Sequence, residues 1–489
     1  MIDSKTSLYS TKQIRLCEQN AAEVLGLTAD ELMQRAGNAA FRTFLMLYPN
    51  VKTIAVFCGA GNNGGDGYVF AEKAHCHGLS VIVYPLKPYL DLPPSAKHAA
   101  LSALAAGVAC LLPEDNIADD VELIVDALLG IGLAGPMTAA YAQAICLIND
   151  SGLPVLAMDI PSGLHADTGR IAGVCVQASV TTTFIGRKLG MYTADGPDYC
   201  GKIVCHDLQL TSLLAAIQPA GSLLDENILN TLPARRKNSH KGMYGHVLVI
   251  GGNLGMPGAV WLAAMAALHV GAGAVTVATR RECVYEALSL LPEAMVYTVD
   301  DATALQPLLA KATVCIIGPG LGDDQWAQGL FRAAMAAQLP LVLDASALRL
   351  LADSPQHDDH WILTPHPGEA AALLACSAAQ IQDERVSASQ RIQKQYGGCV
   401  VLKGAGTVVN TGAQVAICNA GNPGMASAGM GDVLTGILGG LLAQGLLLDK
   451  AALLGVWLHA RAGDDAGDVV GQRGLRASDL MPYLRRLVN

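Results

Sequence analysis

Short apolar runs that end in a glycine- or aspartate-bearing loop, each followed by an alanine-rich segment, recur along this chain. In the first half the runs are Thr53–Cys58, Val81–Tyr84, Leu123–Ala127, Val155–Asp159 and Val180–Ile185. Helical segments such as Tyr68–His77 and Ala139–Asn149 lie between them. Such alternation implies a parallel sheet with helices on its faces, and strands buried on both faces read as unbroken apolar runs. The pattern lapses between about Leu210 and Gly242, where Pro219, Gly221, Pro233 and a basic patch, Arg235-Arg236-Lys237, mark a boundary. The patch reads as a solvated linker or a phosphate contact. The pattern restarts at His246–Ile250 and continues through Ala274–Ala278, Val314–Ile317, Pro340–Leu343, Trp361–Thr364 and Val400–Lys403, with helices dominating after Gly431. The chain is therefore expected to be α/β in two domains; its 489 residues are too many for one ordinary domain and allow two to four. The halves share a style but no motif and no short repeat, so two unlike modules are joined.

The totals narrow the function. A net charge of −10 argues against nucleic acid as a partner. The 13 cysteines are scattered with no Cys-x-x-Cys pair, which fits buried thiols of a reducing, cytoplasmic compartment. His75-Cys76-His77 lacks a second cluster at ligand spacing and reads as a helix end. Met1 to Arg15 is polar, unlike a signal peptide. Gly255 to Thr279 is uncharged, but Pro257, Gly258, His269, Gly271 and Gly273 break it into helix, turn and strand, so no membrane span is expected.

Ligands of a wound parallel sheet bind beyond the strand C-termini. In the first half those ends carry Gly59 to Gly67, then Asp126 and Gly130 to Pro136, then Asp159-Ile160-Pro161-Ser162-Gly163. The first loop is not a Gly-x-Gly-x-x-Gly dinucleotide fingerprint, and no acidic ribose reader follows, so an NAD-dependent oxidoreductase is disfavoured. Its amides and carboxylate suit a phosphate or, through oxygens, a hard cation. Asp126, Ser162 and Asn63 can complete an oxygen cage, and Asp159 is a candidate acid/base. The alternative is that Asp126 and Asp159 cap helices.

These three strings resemble the NAD(P)HX epimerase family over roughly residues 1–215. The resemblance implies a Rossmann-like three-layer domain that interconverts the R and S hydrates of NADH and NADPH. By that likeness Asn62, Asn63, Gly64, Gly65 and Asp66 contact the substrate, as do Gly130, Ile131, Gly132, Leu133, Ala134, Gly135 and Pro136. Asn63, Asp126 and Ser162 would bind a potassium ion, and Asp159 would bind substrate and move the proton. Some relatives of this domain bind without catalysing.

In the second half, Asn422 to Asp432 is small, glycine-rich and uncharged until its final carboxylate, and the helical run Val433 to Leu442 follows at once. That order offers backbone N–H groups and a helix N-terminus to an anion, with a base beside it. The bland alternative is a helix start whose glycines permit tight packing. Lys403 ends a strand before Gly404-Ala405-Gly406-Thr407, which is not a P-loop. His366 lies between Pro365 and Pro367, where it reads as a substrate holder or a structural loop histidine. Gly318-Pro319-Gly320-Leu321-Gly322 and Gly251-Gly252-Asn253 with Gly258-Ala259 let a ligand approach the backbone.

Together with Lys241-Gly242 and Tyr244-Gly245, these motifs resemble the ADP- or ATP-dependent NAD(P)H-hydrate dehydratase family, of ribokinase-like α/β fold, over about residues 225–489. The resemblance implies that Lys403, Gly404, Ala405, Gly406, Thr407, Asn422, Gly429, Met430 and Gly431 hold ADP or ATP. Ala259, Gly322, His366 and Asp432 would contact the hydrate. Asp432 would be the general base, with Mg²⁺ assisting. Ala428 stands where a glycine is expected, and Ser346 where a second aspartate is common. The substrates implied are NADHX, NADPHX and an adenine nucleotide. Low charge and high apolar content make a homo-oligomer the expectation. The rival readings are a small-molecule kinase with an accessory domain, and a non-catalytic scaffold built on the first domain.

Overall fold

The structure is a computed structural model that describes residues 6–111, 117–132, 135, 137–284 and 291–489. The chain divides into two compact units, Met1–Ser222 and Leu223–Asn489.

The first unit is built on a seven-stranded sheet. Its strands run in the order Ala109–Cys110, Ser80–Pro85, Thr53–Cys58, Leu123–Ala127, Val155–Met158, Val180–Phe184 and Lys202–His206, every neighbour parallel. Successive side chains enter opposite cores: Ile54 and Val56 pack on one face, Ala55 and Phe57 on the other. Helices cover both faces, so the central strands are uncharged apart from Asp126, next to the end of Leu123–Ala127, and charge returns at the edge strand with Lys202.

The sequence reading differs from the structure at several places here, among them the short strand Ala109–Cys110, which was not read. The helix expected from Tyr68 begins at Asn62, so most of the glycine-rich string is helical rather than loop. A Cβ on Gly64 would lie 2.0 Å from the Gly59 carbonyl oxygen, so this helix can start against the strand end only because its first turn is bare. The strand Lys202–His206 was missed. The strands expected to reach Asp159 and Ile185 stop one residue earlier. Both residues have φ of 66° and sit at the centre of tight turns, closed by Ile160 N–H to the Met158 carbonyl (2.8 Å) and Gly186 N–H to the Phe184 carbonyl (2.7 Å). Left-handed backbone at non-glycine residues costs energy, so the surrounding structure must hold it in place.

The second unit has a parallel run in the order Met295–Thr298, Ala274–Thr279, His246–Ile250, Val314–Ile317, Leu341–Leu343, Trp361–Leu363 and Cys399–Leu402. An antiparallel hairpin, Thr407–Asn410 with Val415–Cys418, extends it. The hairpin and the strand Met295–Thr298 were not read from sequence. Pro257–His269, Met430–Ala443 and Leu448–Val470 cover one face, with Val247 and Val249 beneath them. Leu248 and Ile250 face the other core, under Gln325–Met335 and Arg385–Tyr396. Among the described residues no helix is long and apolar enough to cross a membrane, and the run 255–279 is a helix, a turn and a strand as expected.

Candidate active sites

The first unit holds a cavity of about 470 Å³ at the strand C-termini, lined by Asn62, Asn63, Asp66, Gly130, Ile131, Gly132 and Asp159 among others. A Cβ on Gly130 would lie 3.2 Å from Asp159 Oδ2 and 3.4 Å from Asn63 Cγ, so the structure brings these three together. The Asn63 side chain is buried, and neither its Oδ1 nor its Nδ2 has a partner. A buried amide without partners costs stability and calls for a ligand. Gly64 and Gly65 do not reach the cavity; they are buried in the packing of their helix. Gly135 is exposed and does not line the cavity. Leu133, Ala134 and Pro136 lie outside the described residues.

Asp159 accepts a bond from Lys188 Nζ at 2.5 Å and from Ile131 N–H at 3.3 Å. Lys188 is fully buried, and its ammonium also donates to Thr183 Oγ1 (2.7 Å) and the Phe184 carbonyl (2.9 Å). Three donors and three acceptors match, so the cation needs no water. The left-handed turn at Asp159 is what presents its carboxylate to Lys188. Sequence reasoning missed Lys188; the only signal was a basic pair, Arg187-Lys188, closing an otherwise apolar stretch.

Asp126 and Ser162 stand just behind the cavity wall. Ser162 donates to Asp126 through its backbone N–H (2.8 Å) and its Oγ (2.6 Å), and Leu128 N–H donates at 3.1 Å. Ser162 Oγ also accepts Leu129 N–H at 2.8 Å. Neither Asp126 nor Asp159 caps a helix through these bonds, which removes that alternative. Burial pushes the Asp126 carboxyl up to about 6, against the lowering effect of the Ser162 and Leu128 bonds. Burial, with Asp159 and Glu18 nearby, pushes Asp66 well above the ordinary carboxylate range.

In the second unit the strand ends converge on a charged cluster. Lys403 Nζ donates to Asp344 Oδ1 at 2.7 Å and lies 3.7 Å from Glu369 Oε2. Asp344 is 2% exposed and also accepts Thr364 Oγ1 at 2.8 Å. Burial alone would depress the Lys403 ammonium, but Asp344 and Glu369 hold it above its ordinary value. Burial also raises Glu369, with Asp344 adding to it and Lys403 opposing.

Asp432 occupies the first turn of Met430–Ala443, behind Gly429 at φ 89°. A Cβ on Gly431 would be 3.3 Å from Lys403 Nζ and 3.5 Å from Asp344 Oδ2, which sets this helix start directly over the cluster. Burial, then the charge of Asp344, pushes the Asp432 carboxyl up to about 7 although Lys403 opposes the shift. A carboxylate poised near neutral pH suits proton abstraction.

His366 caps the helix Pro367–Leu373, accepting Gly368 N–H (2.9 Å) at Nδ1, and its Nε2 lies 3.3 Å from Glu369 Oε1. Half of its side chain stays exposed (48%), so capping leaves a face for a ligand. Gly404, Ala405 and Gly406 form the hairpin turn, closed by Thr407 Oγ1 to the Gly404 carbonyl (3.0 Å). Asn422 spends its side chain on the loop itself, accepting Gly424 N–H (3.0 Å) and donating to the Gly463 carbonyl (2.8 Å). A Cβ on Gly320 would be 3.2 Å from Ala259 Cβ, which places the two glycine loops side by side. Gly322 abuts the Asn253 side chain, which holds the Leu321 carbonyl at 3.0 Å. Ala428 has no positive φ and so tolerates its side chain, while Ser346 opens the helix Ser346–Asp353. Arg235 stacks 3.8 Å over Tyr244 and bonds Gln444, a structural role. Asp344 and Glu369 went unread in the sequence, because their significance depends on which lysine they meet.

The family model described as NAD(P)H-hydrate dehydratase matches residues 247–486, and that described as YjeF-related protein N-terminus matches residues 29–190. The bifunctional NAD(P)H-hydrate repair enzyme of Coxiella burnetii is 47% identical over 487 residues, covering 99% of this chain and 100% of the relative. The chain belongs to the bifunctional NAD(P)H-hydrate repair enzyme family. The family member from Escherichia coli is 42% identical, covering 99% of this chain and 94% of its own. Among solved structures, a ribokinase-like superfamily protein from Enterococcus faecalis aligns with a TM-score of 0.51 at 30% identity, covering 54% of this chain and 94% of that one. A hypothetical protein from Streptococcus mutans gives the same score and identity, with 98% of its chain covered. The fold class is thus α/β throughout, with a ribokinase-like second unit in this family.

Proposed function

We propose that the chain restores hydrated NADH and NADPH through two sites, an epimerase domain at residues 1–215 and a dehydratase domain at 225–489. The observation that carries this reading is the Asp432 carboxyl, raised to about 7 at a helix N-terminus beside Lys403, in a chain of this family.

In the first site Asp159, held by Lys188, takes the proton of the carbinolamine hydroxyl as the ring C–N bond opens to an aldehyde and the ring nitrogen gains a proton. The nitrogen then re-forms the C–N bond on the aldehyde's other face, and the proton returns to the oxygen, which inverts the hydroxyl-bearing carbon. Asn62, Asp66 and Gly130 to Gly132 line the space for the substrate. The donor set fits a potassium ion: Asn63 Oδ1 has no protein partner, and Asp126 and Ser162 oxygens stand behind the neighbouring wall. Such an ion would supply a positive charge for the substrate's oxygens.

In the second site Asp432 takes the proton of the hydroxyl on the S hydrate. The hydroxyl oxygen attacks the terminal phosphorus of ADP or ATP, whose leaving nucleotide is shorter by one phosphoryl group. Lys403 and the Gly429–Gly431 segment favour the charge on that group. The ring nitrogen lone pair then expels inorganic phosphate as the C–O bond breaks, and loss of a proton from the adjacent ring carbon restores the reduced ring. Among the described residues no three acidic, histidine or cysteine side chains form a metal cage, so Mg²⁺ is read as arriving with the nucleotide's phosphates. His366, Ala259 and Gly322 are assigned to the hydrate.

The test is a product assay with hydrate, Mg²⁺ and nucleotide. Inorganic phosphate appearing one-for-one with reduced nicotinamide supports repair; a stable phosphorylated product would support a kinase instead. Residence in the cytoplasm is proposed from the thirteen free thiols, and self-association from the low charge; light scattering tests the latter.

A further inference from the structure

Arg385 is the first residue of the helix Arg385–Tyr396 and is 1% exposed. A cation at a helix N-terminus opposes the helix dipole, and burying it opposes solvation. Burial lowers its pKa to about 10, which leaves it charged at neutral pH. Its donors show what this arrangement achieves. Nη2 bonds the carbonyls of Leu402 and Lys403, each at 3.2 Å, and Nη1 bonds Gln382 Oε1 at 2.6 Å. The next residue, Gly404, has φ of 137°, and a Cβ there would lie 2.9 Å from Nη1. The guanidinium therefore packs against the point where the strand Cys399–Leu402 turns into Gly404–Gly406. On the other side of that backbone, Lys403 Nζ reaches Asp344.

We propose that Arg385 is a positioning residue of the dehydratase site: it clamps the Leu402–Gly404 backbone and sets a fixed positive charge beneath the turn that takes the nucleotide's phosphates. This rests on reading Lys403–Thr407 as the nucleotide turn. Direct substrate contact is excluded by burial, and two of the Arg385 bonds go to the backbone that carries Lys403.

The experiment uses the full chain with R385K, R385M and K403M, measuring KM for ADP and ATP, KM for the hydrate, melting temperature and epimerase rate. R385M should raise the nucleotide KM about tenfold or more, leaving the hydrate KM and epimerisation unchanged. R385K, which keeps charge but loses the planar fork, should recover part of that loss. If R385M does not fold, R385K decides: an unchanged nucleotide KM overturns the proposal. A fall in melting temperature with unchanged nucleotide KM in both variants also overturns it. If K403M too leaves the nucleotide KM unchanged, the nucleotide-turn reading is what fails.

Discussion

Each unit builds its site around one lysine, fully buried in the first and partly buried in the second, and the two lysines are used in opposite ways. Lys188 bonds the carboxylate assigned to the chemistry, Asp159, and spends its other donors on Thr183 and Phe184. Lys403 bonds Asp344, a neighbour of the carboxylate proposed as base, and Asp432 is left with a carboxyl raised to about 7. In the first unit the lysine fixes the position of its carboxylate. In the second, the lysine bonds Asp344, and burial first and then the charge of Asp344 make Asp432 a stronger base. The same two residue types thus give a held carboxylate in one site and a basic one in the other.

The sharpest way to break this comparison is Asp432→Asn. Dehydration should fall by about 10³-fold or more, the range for loss of a general base, while epimerisation continues at the wild-type rate. Loss of both activities would contradict separate sites. The same variant should be more stable above neutral pH. Asp432 has a folded pKa above its unfolded value, so its ionisation weakens the fold as pH rises from about 4 to about 7. Removing it should raise the melting temperature at pH 8 by about 2 °C.

Lys188→Met should cost the first unit about 3 kcal/mol, since Asp159 is left without its cation, and should abolish epimerisation with dehydration of the S form intact. Denaturant unfolding with both assays checks this. Asn63→Leu separates function from packing. Its amide makes no bond in the structure, so stability should hold or rise while epimerisation and its dependence on potassium are lost. An Asn63→Leu chain that unfolds instead would return Asn63 to a structural role. The smallest effect concerns pH. Dehydratase kcat/KM should fall below about pH 7 as Asp432 protonates, and Asp344→Asn should shift that limb to lower pH. No shift would remove Asp344 from the account.

Much of this was legible in the sequence, for identifiable reasons. Strands buried on both faces leave unbroken apolar runs, so Thr53–Cys58, Leu123–Ala127, His246–Ile250 and Val314–Ile317 were read to the residue. Asp432 was legible because an isolated carboxylate after glycines is a local pattern. The start of the helix at Asn62 was not, because glycines that permit close packing look the same in sequence as glycines that free a loop. The hairpin after Gly406 was missed because its strands follow one another through short turns, without the intervening helical segment that marks the other strands. Lys188, Asp344, Glu369 and Arg385 were invisible for a common reason: a charge becomes informative only when folding buries it against a partner distant in sequence.

The central claim is that two differently tuned carboxylates act in sequence on one substrate pool. It is tested most directly by following the near-ultraviolet absorbance of reduced nicotinamide when the protein meets a mixed-epimer hydrate, Mg²⁺ and nucleotide. Recovery of the whole pool, falling to the S fraction alone in Lys188→Met, is the predicted result. Whole-pool recovery that survives Lys188→Met, beyond spontaneous epimerisation, would contradict it.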